Sequence, residues 1–182
     1  MRALLISIQP YWVFLIIAKT MGWNIGEEKT VEIRKNCPKN DNWNKTAKIY
    51  CTKDKKSFSQ IPKEYRPLME RLSGKVIGEF VCDDIKEIRA DNLVAIYFNN
   101  PCENTCLNDL EMREYANGKN LFLWHISNLV IYDEPRELSE FYVSVKDHWE
   151  TYDPSKYVNG GWKKPLKRPP QSWCYVESGG VE

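Results

Sequence analysis

The run from Ala3 to Ala18 constrains this chain most, because apart from Ser7, Gln9 and Pro10 it contains only apolar and aromatic residues. Any fold must take that surface out of water. Pro10 divides the run. Proline cannot donate to a strand ladder and suits the first turn of a helix, so Arg2 to Ile8 is expected as a strand and the residues after Pro10 as a helix. The helix would place Tyr11, Phe14, Leu15 and Ala18 on one face. The polar interruptions, a length short of the roughly 20 residues of a membrane span and the lack of a small-residue cleavage site argue against a span or an export signal. A soluble cytoplasmic protein is the expectation.

Further strands are expected around Thr30 to Arg34, from Ala47 to Thr52, from Gly74 to Ile85, from Leu121 to Tyr132 and from Gln171 to Glu177. In the first of these, Val31 and Ile33 alternate with Thr30, Glu32 and Arg34, the pattern of a strand with one buried and one wet face. Short helices are expected from Lys63 to Leu72 and from Leu107 to Ala116, the latter stopped by Asn117-Gly118. Asn36 to Lys45 and Lys53 to Ser59 read as solvated connections, and Asp133-Glu134-Pro135 as a turn. Periodicity is lost across about 142–167, which is expected as an irregular surface loop. The chain has 182 residues, enough for one well-buried core, so a single domain spanning 1–182 is expected. Short strands with two or three helices give an α+β class, with a closed or partly closed barrel protecting the strand edges.

The 26 Lys and Arg nearly balance the 25 Asp and Glu, so no global field would draw the protein onto a polyanion. A nucleic-acid interface would have to be local. Two basic stretches qualify, Arg34 to Lys56 and the cluster of Lys163, Lys164, Lys167 and Arg168. Lysine-rich loops kept for solubility explain them equally simply. Trp12, Trp23, Trp43, Trp162 and Trp173 include indoles in polar or loop contexts where a base could stack. The six cysteines read as reduced thiols in a chain with a sizeable core. Cys102 and Cys106 have the spacing of half a metal site, but no second pair follows, so no metal is expected. His125, inside Phe122-Leu123-Trp124-His125-Ile126, reads as a core or barrel-interior histidine.

The stretch with chemical content is Glu28 to Lys35. Arg34 can grip a phosphate or base edge through two parallel hydrogen bonds, and Glu32 beside it can orient it and accept from a base amino group. An ordinary wet strand face with one ion pair is the alternative. No GxSxG, HExxH, P-loop or dinucleotide fingerprint is present.

Six segments in order resemble the ASCH family, named for activating signal cointegrator homology and related to PUA domains. They are Leu4 to Pro10 (LLISIQP), Glu28 to Lys35 (EKTVEIRK), Ile49 to Lys53 (IYCTK), Gly74 to Ile85 (GKVIGEFVCDDI), Trp124 to Phe141 and Arg168 to Glu177. Their wording is similar to ASCH proteins of bacteria and their phages. The resemblance implies a PUA-like mixed β-pseudobarrel of about six strands with flanking helices. It also implies binding of RNA or a modified nucleoside, with hydrolase activity in some members. No cofactor is expected. Carried over residue by residue, the cleft would hold Lys29, Glu32 and Arg34, joined by Ser7, by Glu79, and by Gln171, Ser172 and Trp173 from the closing strand. Thr30 and Lys35 beside them on the same strand complete the expected nucleic-acid-binding set. One related group deacylates N4-acylcytidine with a lysine, a threonine three residues later and a glutamate on the GEF-like strand. Lys29 and Glu79 match the first and last, while Glu32 stands in the threonine position. That departure favours a binding module over an amidohydrolase or ribonuclease using Lys29 and Glu79. An interaction domain with a vestigial cleft is the third possibility.

Overall fold

A computed structural model describes residues 2–39, 45–91, 104–144, 157–158 and 161–178. The chain divides into two compact units, Met1–Pro10 with Ala47–Gly78 and Tyr132–Glu182, and Tyr11–Thr46 with Glu79–Ile131. In order, the elements are β1 (Arg2–Ile8), α1 (Pro10–Ile17), β2 (Val31–Arg34), β3 (Lys45–Cys51), α2 (Lys55–Phe58), α3 (Arg66–Leu72), β4 (Val76–Cys82) and β5 (Ile85–Ile88). There follow α4 (Asp109–Ala116), β6 (Leu121–His125), β7 (Ser127–Arg136), β8 (Phe141–Ser144), β9 (Tyr157–Val158), β10 (Gly161–Pro165) and β11 (Trp173–Ser178). The strands form an eight-stranded sheet in the order β7-β4-β3-β1-β11-β8-β10-β9 and a three-stranded sheet in the order β2-β6-β5. The class is α+β, as the sequence suggests.

In the first unit, β1 lies between β3, to which it runs parallel from Leu4↔Ala47 to Ile8↔Cys51, and β11, to which it runs antiparallel from Arg2↔Glu177 to Ile6↔Trp173. Every residue of β1 after Arg2 is buried. A strand covered on both faces needs a continuous apolar run instead of alternation, which explains the composition of Ala3 to Ile8. Leu5, Tyr50, Val76, Leu138, Phe141 and Val176 form the core of this unit.

Three connections differ from the sequence expectation here. Part of the solvated stretch Lys53 to Ser59 is the short helix α2, started by Asp54, whose carboxylate accepts from the Lys56 N–H at 3.0 Å. The expected turn at Asp133-Glu134-Pro135 is instead the continuation of β7 to Arg136. Proline is tolerated there because β7 is the terminal strand of the sheet. The region 142–167, expected to be irregular, contributes β8, β9 and β10; β8 pairs over longer sequence separations, Tyr142 with Glu177 and Ser144 with Lys163, and β9 pairs locally with β10, Val158 with Gly161. Its remainder, 145–156 and 159–160, lies outside the described residues, as does 40–44 of the Asn36 to Lys45 connection.

In the second unit β6 is the central strand, antiparallel to β2 from Val31↔His125 to Arg34↔Phe122 and to β5 from Ile85↔Trp124 to Ile88↔Leu121. The strand expected over Leu121 to Tyr132 breaks at Ile126, whose N–H donates to Thr30 O at 2.8 Å, and Asn128 adopts φ 47. The strand expected over Gly74 to Ile85 likewise ends at Cys82. Helix α4 is locally encoded. Asn108 accepts from the Glu111 N–H while Glu111 accepts from the Asn108 N–H, and Asn117 ends the helix at φ 47. Its Met112 and Ala116 pack with Ile33, Leu121 and Leu123. In α1 every residue from Val13 to Ile17 is buried, as is Ala18, so the one-faced helix expected there is apolar all round.

Asn108→Ala removes a side-chain cap and is expected to lower stability by about 1 kcal/mol. Met112→Ala empties a fully buried position and should cost about 2–5 kcal/mol. Urea unfolding of the two variants checks both values and their order.

Candidate functional site

Strand β2 carries the central group of the second unit. Its supposedly wet face is covered: Lys29 is 3% and Glu32 5% exposed, and Arg34 is partly buried. The cover is the segment at Asn104–Thr105. The N–H groups of Thr30 and Val31 both donate to Asn104 O, at 3.0 and 3.1 Å, and Thr105 is fully buried. Asn104 and Cys106 have φ of 61 and 59, a left-handed backbone that the local sequence does not announce.

Lys29 Nζ donates to Val31 O at 2.7 Å and Thr105 O at 2.9 Å and stands 3.4 Å from Glu32 Oε2. The Trp12 ring centroid is 5.1 Å away. Three donors therefore have three oxygen neighbours. Glu32 Oε1 lies 3.1 Å from Arg34 Nη2, so one buried carboxylate sits between two cations. Oε2 of Glu32 accepts no hydrogen bond among the described residues.

Outward from this group the surface is aromatic and basic. Tyr115 of α4 is 38% exposed, its hydroxyl donates to Ile33 O at 3.4 Å, and Lys35 Nζ stands 4.8 Å from its ring centroid. Burial pushes the Tyr115 hydroxyl above its ordinary pKa, partly offset by Arg34. Sequence reading missed Tyr115. The available signal was an aromatic among the polar positions of an amphipathic helix.

The remaining candidates separate by unit. Glu79, on β4, is half-buried in the second unit. Ser7, Gln171, Ser172 and Trp173 belong to the first. Ser7 is buried at the end of β1, where its N–H donates to Ser172 O at 2.9 Å and its hydroxyl to Pro170 O at 2.7 Å. Trp173 meets Tyr175 edge-on at 5.8 Å, and the Arg2 guanidinium lies 3.9 Å from the Tyr175 ring centroid.

The basic stretches are not uniform loops. Lys48 is buried and donates to the Tyr132 hydroxyl at 3.1 Å, whereas Lys53, Lys55 and Lys56 are exposed. Lys163 pairs with Glu177, leaving Lys164, Lys167 and Arg168 exposed. Among the tryptophans, Trp23 stacks on Phe14 at 5.5 Å, while Trp43 and the Trp162 side chain lie outside the described residues.

His125 is a correction. Its side chain is 46% exposed, and Nδ1 lies 2.6 Å from Asp83 Oδ1. The cause is its place at the last residue of β6, where the strand turns outward against Asp83–Asp84, the His125 N–H donating to Asp84 O. The hydrogen bond from His125 holds the Asp83 carboxyl below its usual range. The five described cysteines are free thiols, and burial pushes Cys51 and Cys82 up to about 12. Cys102 lies outside the described residues. No three His, Cys, Asp or Glu side chains among the described residues are placed to hold a metal. No described helix is long and apolar enough to cross a membrane.

No protein-family model and no curated protein sequence matches the chain. Solved structures do. The ASCH protein of Zymomonas mobilis aligns at a TM-score of 0.53 and 17% identity, covering 96% of this chain and 87% of that one. A serine-to-alanine mutant of the same protein aligns at 0.55 and 16% identity, covering 96% and 88%. A tyrosine-to-phenylalanine mutant aligns at 0.53 and 16%, covering 96% and 90%. The chain has the ASCH fold.

Glu32→Gln leaves two cations beside a neutral amide in a buried setting and is expected to destabilise the protein by about 3–5 kcal/mol in chemical unfolding. Asp83 is depressed in the folded state, so its contribution is present above its unfolded pKa and is lost as pH falls through the folded value. The stability gap between wild type and Asp83→Asn should therefore narrow below about pH 4. A gap independent of pH would show that the His125 contact has no energetic weight.

Proposed function

We propose that this ASCH-fold chain is an RNA-binding protein, and that β2 with the Tyr115 rim receives one base or nucleoside. The observation that carries the proposal is the grouping of Arg34, Lys35 and the half-open Tyr115 ring beside a buried carboxylate. A ring beside two cations offers a base a stacking surface and a phosphate a counter-charge. Arg34, at 11% side-chain exposure, is the most open member of the charged group behind it, and Glu32, buried between Lys29 and Arg34, orients its guanidinium. Lys29 and Thr30 then serve to hold the strand. Ser7, Gln171, Ser172 and Trp173 form a second contact segment, in which Gln171 is exposed and Trp173 half-buried.

The amide-cleaving alternative is less favoured by the same geometry. A lysine whose ammonium group already faces two carbonyls and a carboxylate is engaged in structure, whereas a nucleophilic lysine needs a free lone pair aimed at substrate.

Fluorescence anisotropy with a labelled single-stranded RNA tests the proposal. Affinity should fall steeply between low and moderate salt. Tyr115→Ala should weaken binding by about 1–3 kcal/mol through lost stacking, and Lys35→Ala should reduce the salt slope by about one charge. Binding unchanged in both variants and insensitive to salt refutes this reading. Product formation from N4-acetylcytidine that disappears in Lys29→Ala would replace it with the hydrolase.

A further inference from the structure

A pocket of about 670 Å³ opens within the first unit, lined by residues that include Tyr50, Thr52, Lys53, Gly74, Leu166 and Lys167. None of them belongs to the β2 group. The volume is within the range of small-molecule sites, roughly 300–1,000 Å³.

Its walls are held by main-chain bonds. The Gly74 N–H donates to Cys51 O at 2.7 Å, the Ser73 hydroxyl to Thr52 O at 3.2 Å, and the Leu166 N–H to Phe141 O at 2.8 Å. Gly74 has φ +82, and a Cβ there would lie 2.2 Å from Lys53 Cε. The stem of Lys53 therefore lies across the bare backbone of Gly74.

The charge balance is specific. Lys53 and Lys167 make no ion pair among the described residues. The carboxylate in the lining, Glu137, is already used: it pairs with Lys75 at 3.3 Å and accepts from the Glu140 N–H. Among the described residues, the lining thus holds a positive excess, with Lys53 and Lys167 exposed to it. Hydroxyl-bearing Tyr50, Thr52 and Ser139 and the apolar Leu166, Pro165 and Pro169 complete the lining.

We propose that this pocket binds a nucleoside monophosphate unit, its phosphate between Lys53 and Lys167 and its base against the Leu166 wall. Such a unit comes either as a free nucleotide or as the phosphorylated end of an RNA strand. The proposal is independent of the β2 reading, and the two fail separately.

The test is amide chemical-shift mapping on the full chain with cytidine 5′-monophosphate. The expected result is movement of the Gly74 and Leu166 signals, with affinity lowered about tenfold in Lys53→Gln and in Lys167→Gln, the loss of a charge-assisted contact. Gly74→Ala should weaken binding while leaving both lysines in the chain. Lys35→Ala should not affect it, whatever it does to RNA. A 5′-phosphorylated trinucleotide binding more tightly than the mononucleotide assigns the site to RNA ends, and the reverse order assigns it to free nucleotides. No movement up to about 10 mM ligand, equal binding of inorganic phosphate or of cytidine, or affinity unchanged in both lysine variants overturns the proposal.

Discussion

The first unit depends on the two-sided burial of β1. A strand with a neighbour on each edge and apolar matter on each face cannot shift register by even one residue without forcing Ser7 out of its bonds to Pro170 and Ser172. That single buried serine gives an otherwise uniform run its address. It also ties the segment before β11 to the end of β1, so two strands adjacent in the sheet but far apart in sequence are set by one residue.

The second unit shows what burial does to charge. A carboxylate taken out of water needs partners close by, and Glu32 has a lysine on one oxygen and an arginine on the other. The lysine in turn is clasped by main-chain carbonyls, one from its own strand and one from Thr105. The covering segment therefore does more than shield the strand. It supplies the oxygen that makes the lysine tolerable there, while Arg34 stays largely covered against Glu32 and only Lys35 is exposed beside Tyr115.

Elements whose causes are local were legible in the sequence. Pro10 marked the change from strand to helix, and Asn117-Gly118 marked the end of α4. What was not legible came from long-range pairing. The strands within 142–167 exist because β8 finds β11 and β10, and Pro135 is tolerated in a strand because β7 lies at the border of the sheet. The same limit applied to the site. Alternation in Val31 to Arg34 distinguished two faces correctly, but only the arrival of Asn104–Thr105 decides that the charged face is buried. His125 fell on the other side of that limit, since it is the last residue of β6 and its exposed ring meets Asp83, a partner 42 residues away in sequence.

Pro135 has a consequence beyond the course of its own strand. As the terminal strand of the larger sheet, β7 would present a row of unpaired backbone groups, a template on which the strand of another molecule could add. Near its end, before the half-buried Arg136, Asp133, Glu134 and Pro135 set two exposed carboxylates and a missing donor along that border. An incoming strand would lose a bond at the proline and gather like charge if it were a second copy of the same segment. The β7 border thus carries its own stop signal against growth by strand addition, written in residues whose composition alone reads as a turn.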